Sequence, residues 1–246
     1  MSGQHELWAD LLAPAERERL TRGRFGRRVG FGRRAAILVI DAQRYMVGRA
    51  PDEPAGSEPP GGFPSACGPG AHHALGRIAE LLAIARPRGV DVVYTRMELR
   101  RDGRDAGVIG RKRDLLAIDG WMLEGTPGAD IVPEVAPQPD DIVLVKKKPS
   151  AFFGTPLACL LLDRGVDTLI VTGGSTSNCV RATVADAYSN NFHVLVPRDC
   201  VFDRIDVSHR VALFDIDRLY GDVVDSGHVT EHLIHTPDGG NRWTSA

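Results

Sequence analysis

Three side chains of reactive type stand at the ends of apolar runs in this chain. Asp41 closes Ile37-Leu38-Val39-Ile40, Lys146 follows the stretch 141–145, and Cys179 lies in Gly173-Gly174-Ser175-Thr176-Ser177-Asn178-Cys179. A carboxylate can take and return a proton, a lysine can hold an anion, and a thiolate can attack a carbonyl carbon. Each has a plainer reading: a helix cap for Asp41, a solvated strand end for Lys146, a small buried apolar residue for Cys179. The β-branched run Thr168-Leu169-Ile170-Val171-Thr172 before Cys179 reads as a buried parallel strand. Val180, Val184, Ala187 and Tyr188 then share one helical face. Cys179 is thereby expected at a helix N-terminus, whose partial positive charge favours the thiolate.

The elements that would position these groups alternate. Strand-like segments are read at Ala35–Ile40, Val90–Thr95, Asp141–Val145, Thr168–Thr172 and His193–Pro197. Between them, Leu75, Ile78, Leu82 and Ala85 recur at helical spacing up to Gly89, and Thr155-Pro156-Leu157 opens a helix closed by Gly165. Near-continuous apolar strands alternating with helices predict a parallel sheet covered on both faces, with chemistry beyond the carboxyl ends of the strands. Asp41, Lys146 and the Gly173 segment then converge on one sheet edge.

The 246 residues suffice for one large α/β domain, and 43% apolar with 25% charged residues is ordinary for a globular chain. A net charge of −2 gives no general attraction to nucleic acid or anionic lipid. Cys67, Cys159, Cys179 and Cys200 form no paired spacing, the start of the chain has no signal-peptide pattern, and no apolar run can span a bilayer. The expectation is a soluble cytoplasmic protein that engages neither nucleic acid nor membrane. Eight arginines in residues 17–34 read as a solvated arm or a subunit contact. The Pro/Gly-rich stretch 49–70 reads as an irregular loop, either walling the site or simply lying on the surface.

The chain resembles the isochorismatase-like cysteine hydrolases nearly from end to end. The matching segments are Gly30-Phe31-Gly32 with Ile37 to Gln43, Val145-Lys146 to Thr155, Asp167 to Thr183, Asp203-Arg204, Leu213 to Ile216, and Tyr220-Gly221-Asp222-Val223. It is most similar to the N-carbamoylsarcosine amidase and maleamate amidohydrolase branch. The resemblance implies a three-layer αβα fold with a mainly parallel central sheet, as an N-terminal arm (1–34) and one hydrolase domain (35–246). It maps a catalytic aspartate, lysine and cysteine onto Asp41, Lys146 and Cys179, with Lys147 as the competitor one residue on. It implies a cis peptide before Ser175 and an oxyanion held by the backbone N–H groups of Ser175 and Cys179. Arg204 is expected to bind a substrate carboxylate, the alternative being an ion pair with Asp203 or Asp206. Tyr45, Thr176 and Asn178 are read as further substrate-contacting residues. The implied activity is hydrolysis of a linear amide or N-carbamoyl group on a small carboxylate, without metal or organic cofactor, in a homotetramer.

Two departures bear on the pocket: Asn178 and Phe202 stand where the family often has glycine. Two other readings stay open, a vinyl-ether hydrolase of the isochorismatase type and a catalytically idle member of the fold. The His228–His232 spacing matches an inverted zinc-protease pattern but lies in the polar C-terminal region, without a long apolar helix to bury it. His209 is read as structural, Cys159 as core, and the Gly173 segment lacks the lysine of a phosphate loop.

Overall fold

The computed structural model describes residues 7–50, 53, 54, 56 and 58–236. Seven parallel strands form one sheet: β1 (Ala35–Ile40), β2 (Asp91–Met97), β3 (Ile142–Lys146), β4 (Thr168–Gly174), β5 (His193–Pro197), β6 (Val201–Phe202) and β7 (Asp222–Val224). Their order is β3-β2-β1-β4-β5-β7, with β6 pairing beside the end of β4. The helices are α1 (Pro14–Arg22), α2 (Arg44–Val47), α3 (Pro69–Ala85), α4 (Val108–Lys112), α5 (Leu157–Asp163), α6 (Arg181–Ser189), α7 (Asp206–Leu219) and α8 (Ser226–His235).

Alternation along β1 divides the core. Ile37 and Val39 face a cluster holding Leu75 and Ile78 of α3 with Val229 and Leu233 of α8. Ala36, Leu38 and Ile40 face Leu157 and Leu161 of α5, Val184 of α6, and Leu213 and Ile216 of α7. Both faces of the sheet are therefore covered, which is why its strands read as continuous apolar runs. The result is the expected three-layer αβα architecture.

The chain leaves β1 towards β2 and β3, then returns to build β4 and β5 on the other side. In sheets of this kind the reactive edge is expected where that order reverses, at the carboxyl ends of β1 and β4. Asp41 follows one of these strands and Cys179 the other. Lys146 ends β3, two strands away, with Thr95 of β2 between them.

Several local expectations are corrected. The short strands β6 and β7 had no apolar run long enough to announce them. Pro156 precedes α5 rather than opening it, and Thr155 Oγ1 accepts the Leu157 N–H. Tyr188 is exposed and edge-on to Tyr220, away from the buried face of Val180, Val184 and Ala187. Cys159 is exposed because Leu157 and Leu161 take the buried side of α5. The arginine-rich segment is exposed over residues 21–29, as a solvated arm would be; beyond that, the Val29 and Gly30 N–H groups donate to Asp222, those of Arg33 and Arg34 to Asp167, and Arg28 pairs with Asp217.

Two adjacent glycines end β4 for different reasons. A Cβ on Gly173, at φ 95°, would overlap the backbone of Ile40, whereas one on Gly174 would overlap the Phe202 ring. Gly173→Ala is expected to cost more than about 3 kcal/mol in urea unfolding, since backbone cannot move aside. Gly174→Ala is expected to be partly relieved by adding Phe202→Leu. Strict additivity of those two changes would show that the ring is not the obstacle.

Candidate active site

At the end of β1 the backbone turns through Asp41 at φ 45°, a left-handed conformation that aspartate tolerates better than most residues. The turn is held by the Asp41 N–H donating to Thr95 O at 3.2 Å, and the side chain is buried. Asp41 Oδ1 accepts the Thr95 hydroxyl at 2.7 Å, and Oδ2 lies 2.7 Å from Lys146 Nζ. Lys146 also donates to Lys148 O at 3.1 Å and to Cys179 Sγ at 3.5 Å. An ammonium has three protons, and here each has an acceptor. The structure thus brings Asp41, Lys146 and Cys179 together in a buried cluster. Lys147 points outward to Asp105 at 2.8 Å and takes no part.

Burial works to neutralise Lys146, but the Asp41 carboxylate and Cys179 sulfur outweigh it, and its pKa is raised. Cys179 departs from the sequence expectation of an acidified thiol. Desolvation pushes it up to about 12, Lys146 lowers it, and the Asp41 carboxylate raises it. The thiol therefore keeps its proton at neutral pH, beside the carboxylate able to take it.

Cys179 lies in a single π-helical turn, Thr176–Val180, that leads into α6. Such turns are frequent at functional sites. The Gly174–Ser175 peptide before it is cis, as the resemblance implied. Asp203 Oδ2 accepts the Ser177 N–H at 2.7 Å and so caps the turn. Thr183 Oγ1 donates to Cys179 O at 2.7 Å and accepts the Ala151 N–H at 3.0 Å, fastening the segment after β3 to α6. Thr95, Asp203 and Thr183 were not singled out as orienting groups. Threonines in apolar runs and an aspartate in a loop carry no local signal of what they will face.

The expected substrate-contacting residues are distributed unevenly. Thr176 is buried, and its hydroxyl donates to Phe202 O at 3.1 Å while His209 Nδ1 lies 2.9 Å away. Burial lowers the His209 pKa, so this contact comes from a neutral ring donating its proton. Tyr45 is buried against Phe63 and Trp121, with its hydroxyl 3.2 Å from Ser65 Oγ. Asn178 is exposed, and Phe202 is in the core against Gly174. The Arg204 guanidinium donates to Ser65 O at 3.0 Å and Met46 Sδ at 3.5 Å rather than to Asp203 or Asp206. Asp203 is occupied by backbone N–H groups, and Asp206 faces Arg210. The loop 49–70 contributes Ser65 to this region, and the Cys67 and Gly68 N–H groups tie it to α2. His228 and His232 flank Phe31, His232 stacking on it at 3.6 Å.

Residues 35–227 match the Isochorismatase domain family. The chain is similar to maleamate amidohydrolase of Pseudomonas putida, at 40% identity over 87% of this chain and 93% of that protein. It is also similar to N-carbamoylsarcosine amidase of an Arthrobacter species, at 33% identity over 87% of this chain and 76% of that one. Among solved structures, a cysteine hydrolase from Pseudomonas syringae pv. phaseolicola aligns with a TM-score of 0.72 at 25% identity, covering 85% of this chain and 97% of that one.

Alkylation by iodoacetamide, followed for each cysteine by peptide mass spectrometry, tests the protonation state. Exposed Cys159 is expected to react first. Cys179 is expected to react faster with each unit of pH through 9, the ordinary thiol value, without levelling off there. Lys146→Ala should slow Cys179 further, because the one group lowering its pKa is gone, while Lys147→Ala should not. A rate step near pH 7 at Cys179 would mean that Lys146 and the helix end do outweigh burial.

Proposed function

The chain belongs to the isochorismatase family, and within it we propose an amidohydrolase that uses Cys179 to cleave a linear amide or N-carbamoyl group from a small carboxylate. The observation that carries this reading is the Lys146 ammonium, buried and hydrogen-bonded at once to the Asp41 carboxylate and the Cys179 sulfur. A cation that bridges a base and a nucleophile is well placed to steady the anion passed between them.

In the proposed sequence, Asp41 removes the thiol proton as Cys179 Sγ bonds to the carbonyl carbon. The carbonyl π electrons move to oxygen, and the backbone N–H groups of Ser175 and Cys179 hold the resulting oxyanion. Loss of one such donor costs about 3–4 kcal/mol in other hydrolases. Asp41 then returns the proton to nitrogen, so that the carbon–nitrogen bond breaks with ammonia leaving rather than an amide anion. Water, deprotonated by Asp41, displaces sulfur from the thioester or thiocarbamate, and the thiol recovers its proton. Throughout, Lys146 supplies fixed positive charge, and Thr95 holds Asp41 Oδ1 so that Oδ2 faces the lysine. Because the resting thiol is protonated, the base is needed from the first step.

The relatives' names, maleamate amidohydrolase and N-carbamoylsarcosine amidase, support a substrate bearing both an amide-type nitrogen and a carboxylate. Arg204 suits that carboxylate, since its planar fork of donors is engaged by neutral acceptors alone. Thr176 takes a structural part in this scheme, holding the turn to Phe202 and His209. The four free cysteines suit a reducing compartment, for which the cytoplasm is proposed. No helix among the described residues is long and apolar enough to cross a membrane.

A homotetramer is proposed on narrower support. Edge strand β3 exposes Val143 and Val145, and Phe153 and Leu162 are exposed as well. Open edges and exposed apolar side chains favour association. Light scattering at micromolar concentration is expected to give the tetramer, and a monomer alone would remove the idea.

The enzymatic test is ammonia release from maleamate and N-carbamoylsarcosine. Cys179→Ser is expected to bring turnover to background while changing stability by about 1 kcal/mol or less, because the new hydroxyl can accept the same Lys146 N–H. Wild-type-like turnover in that variant would exclude Cys179 as the nucleophile.

A further inference from the structure

The segment between β2 and β3, residues 98–132, spans the sheet edge that carries the cluster. At one side it is fastened next to Lys146: Lys147 pairs with Asp105, and Lys148 Nζ donates to Ala106 O at 3.1 Å. At the other it is fastened next to Asp41. There Gln43 Nε2 donates to Ala129 O at 2.8 Å, the Arg44 N–H to Asp130 O at 2.9 Å, and the Val132 N–H to Ala42 O at 3.0 Å. Between these fasteners the segment carries Arg113 and Trp121.

Arg113 places its guanidinium 5.3 Å from the centre of the Trp121 ring and donates to Ser65 Oγ at 3.4 Å. Trp121 is edge-on to Tyr45 at 4.8 Å, and its buried Nε1 has no acceptor. Arg204 reaches the same residue from the segment after β6, donating to Ser65 O. Two guanidinium groups thus meet at one serine. Their hydrogen bonds and ring contact run to a hydroxyl, a carbonyl, a thioether, the Cys67 thiol and an aromatic face, with no carboxylate among these partners. Like charges held on neutral hydrogen-bond partners repel, and an entering anion relieves that cost. A carboxylate can accept from two guanidinium forks because its two oxygens offer about four lone-pair sites.

We propose that Arg113 is a second carboxylate-binding and specificity-determining residue, acting with Arg204 across Ser65. The carboxylate end of the substrate then lies between residues of two separate loops, over Tyr45, while its amide end reaches Cys179. This rests on the amidohydrolase reading and sharpens it to short amido or carbamoyl acids. The stacking on Trp121 holds the Arg113 fork while leaving donors for the ligand.

The test is binding of maleate, a small dicarboxylate probe, by isothermal titration to the wild-type protein, Arg113→Ala, Arg113→Lys, Arg204→Ala and the double alanine variant. Arg113→Ala is expected to weaken binding about tenfold, as for loss of one charged hydrogen-bond partner. Arg113→Lys should recover part of this. The double variant should lose less than the product of the two single losses, because both residues share one ligand. In turnover, Arg113→Ala should lower the ratio of kcat/KM for maleamate over its neutral diamide by about tenfold, chiefly through KM. Wild-type-like maleate binding by Arg113→Ala, no maleate binding by the wild-type protein, or equal losses on acid and diamide would each overturn the proposal. Should the wild-type protein release no ammonia from any amide yet bind maleate in an Arg113-dependent way, the hydrolase reading falls and the Arg113 assignment stands.

Discussion

Burying the Lys146 ammonium is the demand around which the site is arranged. Moving such a cation out of water costs several kcal/mol even after the protein relaxes, and attraction repays this only when geometry is good and every proton is used. Lys146 meets both conditions through Asp41, Lys148 O and Cys179. Asp41 is in turn held by the Thr95 hydroxyl from β2, the strand between the two partners. Removing any one member leaves a buried group uncompensated, so the constellation is held as a unit. The flanking lysines serve the same arrangement, since their contacts with Asp105 and Ala106 keep the β2–β3 segment across the sheet edge.

The same burial decides how the thiol works. A helix N-terminus contributes about 0.3–1 kcal/mol to an anion at the surface, and up to about 2 in favourable partly buried geometries. Desolvating a lone thiolate, next to an existing carboxylate, costs more than that. The proton therefore stays on sulfur, and one lysine does not reverse the balance. Thiol and carboxylate are consequently coupled: Asp41 makes the thiol harder to ionise and, in the proposed mechanism, is also the group that accepts its proton when a carbonyl carbon arrives. A permanently ionised cysteine would be open to alkylation and oxidation, whereas a buried, protonated thiol reacts slowly with both.

Much of this was legible in the chain, for a reason specific to the fold. A sheet covered on both faces needs continuous apolar strands, so β1 and β4 stand out, and the polar residue ending each run is automatically at the reactive edge. Asp41, Lys146 and the Gly173–Cys179 segment could be located that way. What escaped depended on partners far apart in sequence. Thr95 looks like a β-branched strand residue until Asp41 is seen 54 positions away. The two-residue β6 and three-residue β7 pair along strands already built and need little apolar content of their own. Cys159 and Tyr188 lie outside the core because an apolar run on a short surface helix turns only part of itself inward, and Leu157, Leu161, Val184 and Ala187 fill that part. The thiol's protonation was missed because position at a helix end is visible in sequence, while depth of burial is not.

The division between strands and loops also separates reactivity from selectivity. Asp41, Lys146 and Cys179 are fixed by sheet register and by hydrogen bonds among themselves. Arg204, Arg113, Ser65 and Tyr45 are brought together by three excursions of the chain that follow β6, β2 and β1. These contacts are weaker and partly exposed, and loops of this kind can change length or residue without disturbing the strands beneath them. In the proposed enzyme one reactive cluster can accordingly serve different small amides, the choice of acid or neutral substrate being set by which guanidinium groups the loops deliver to Ser65.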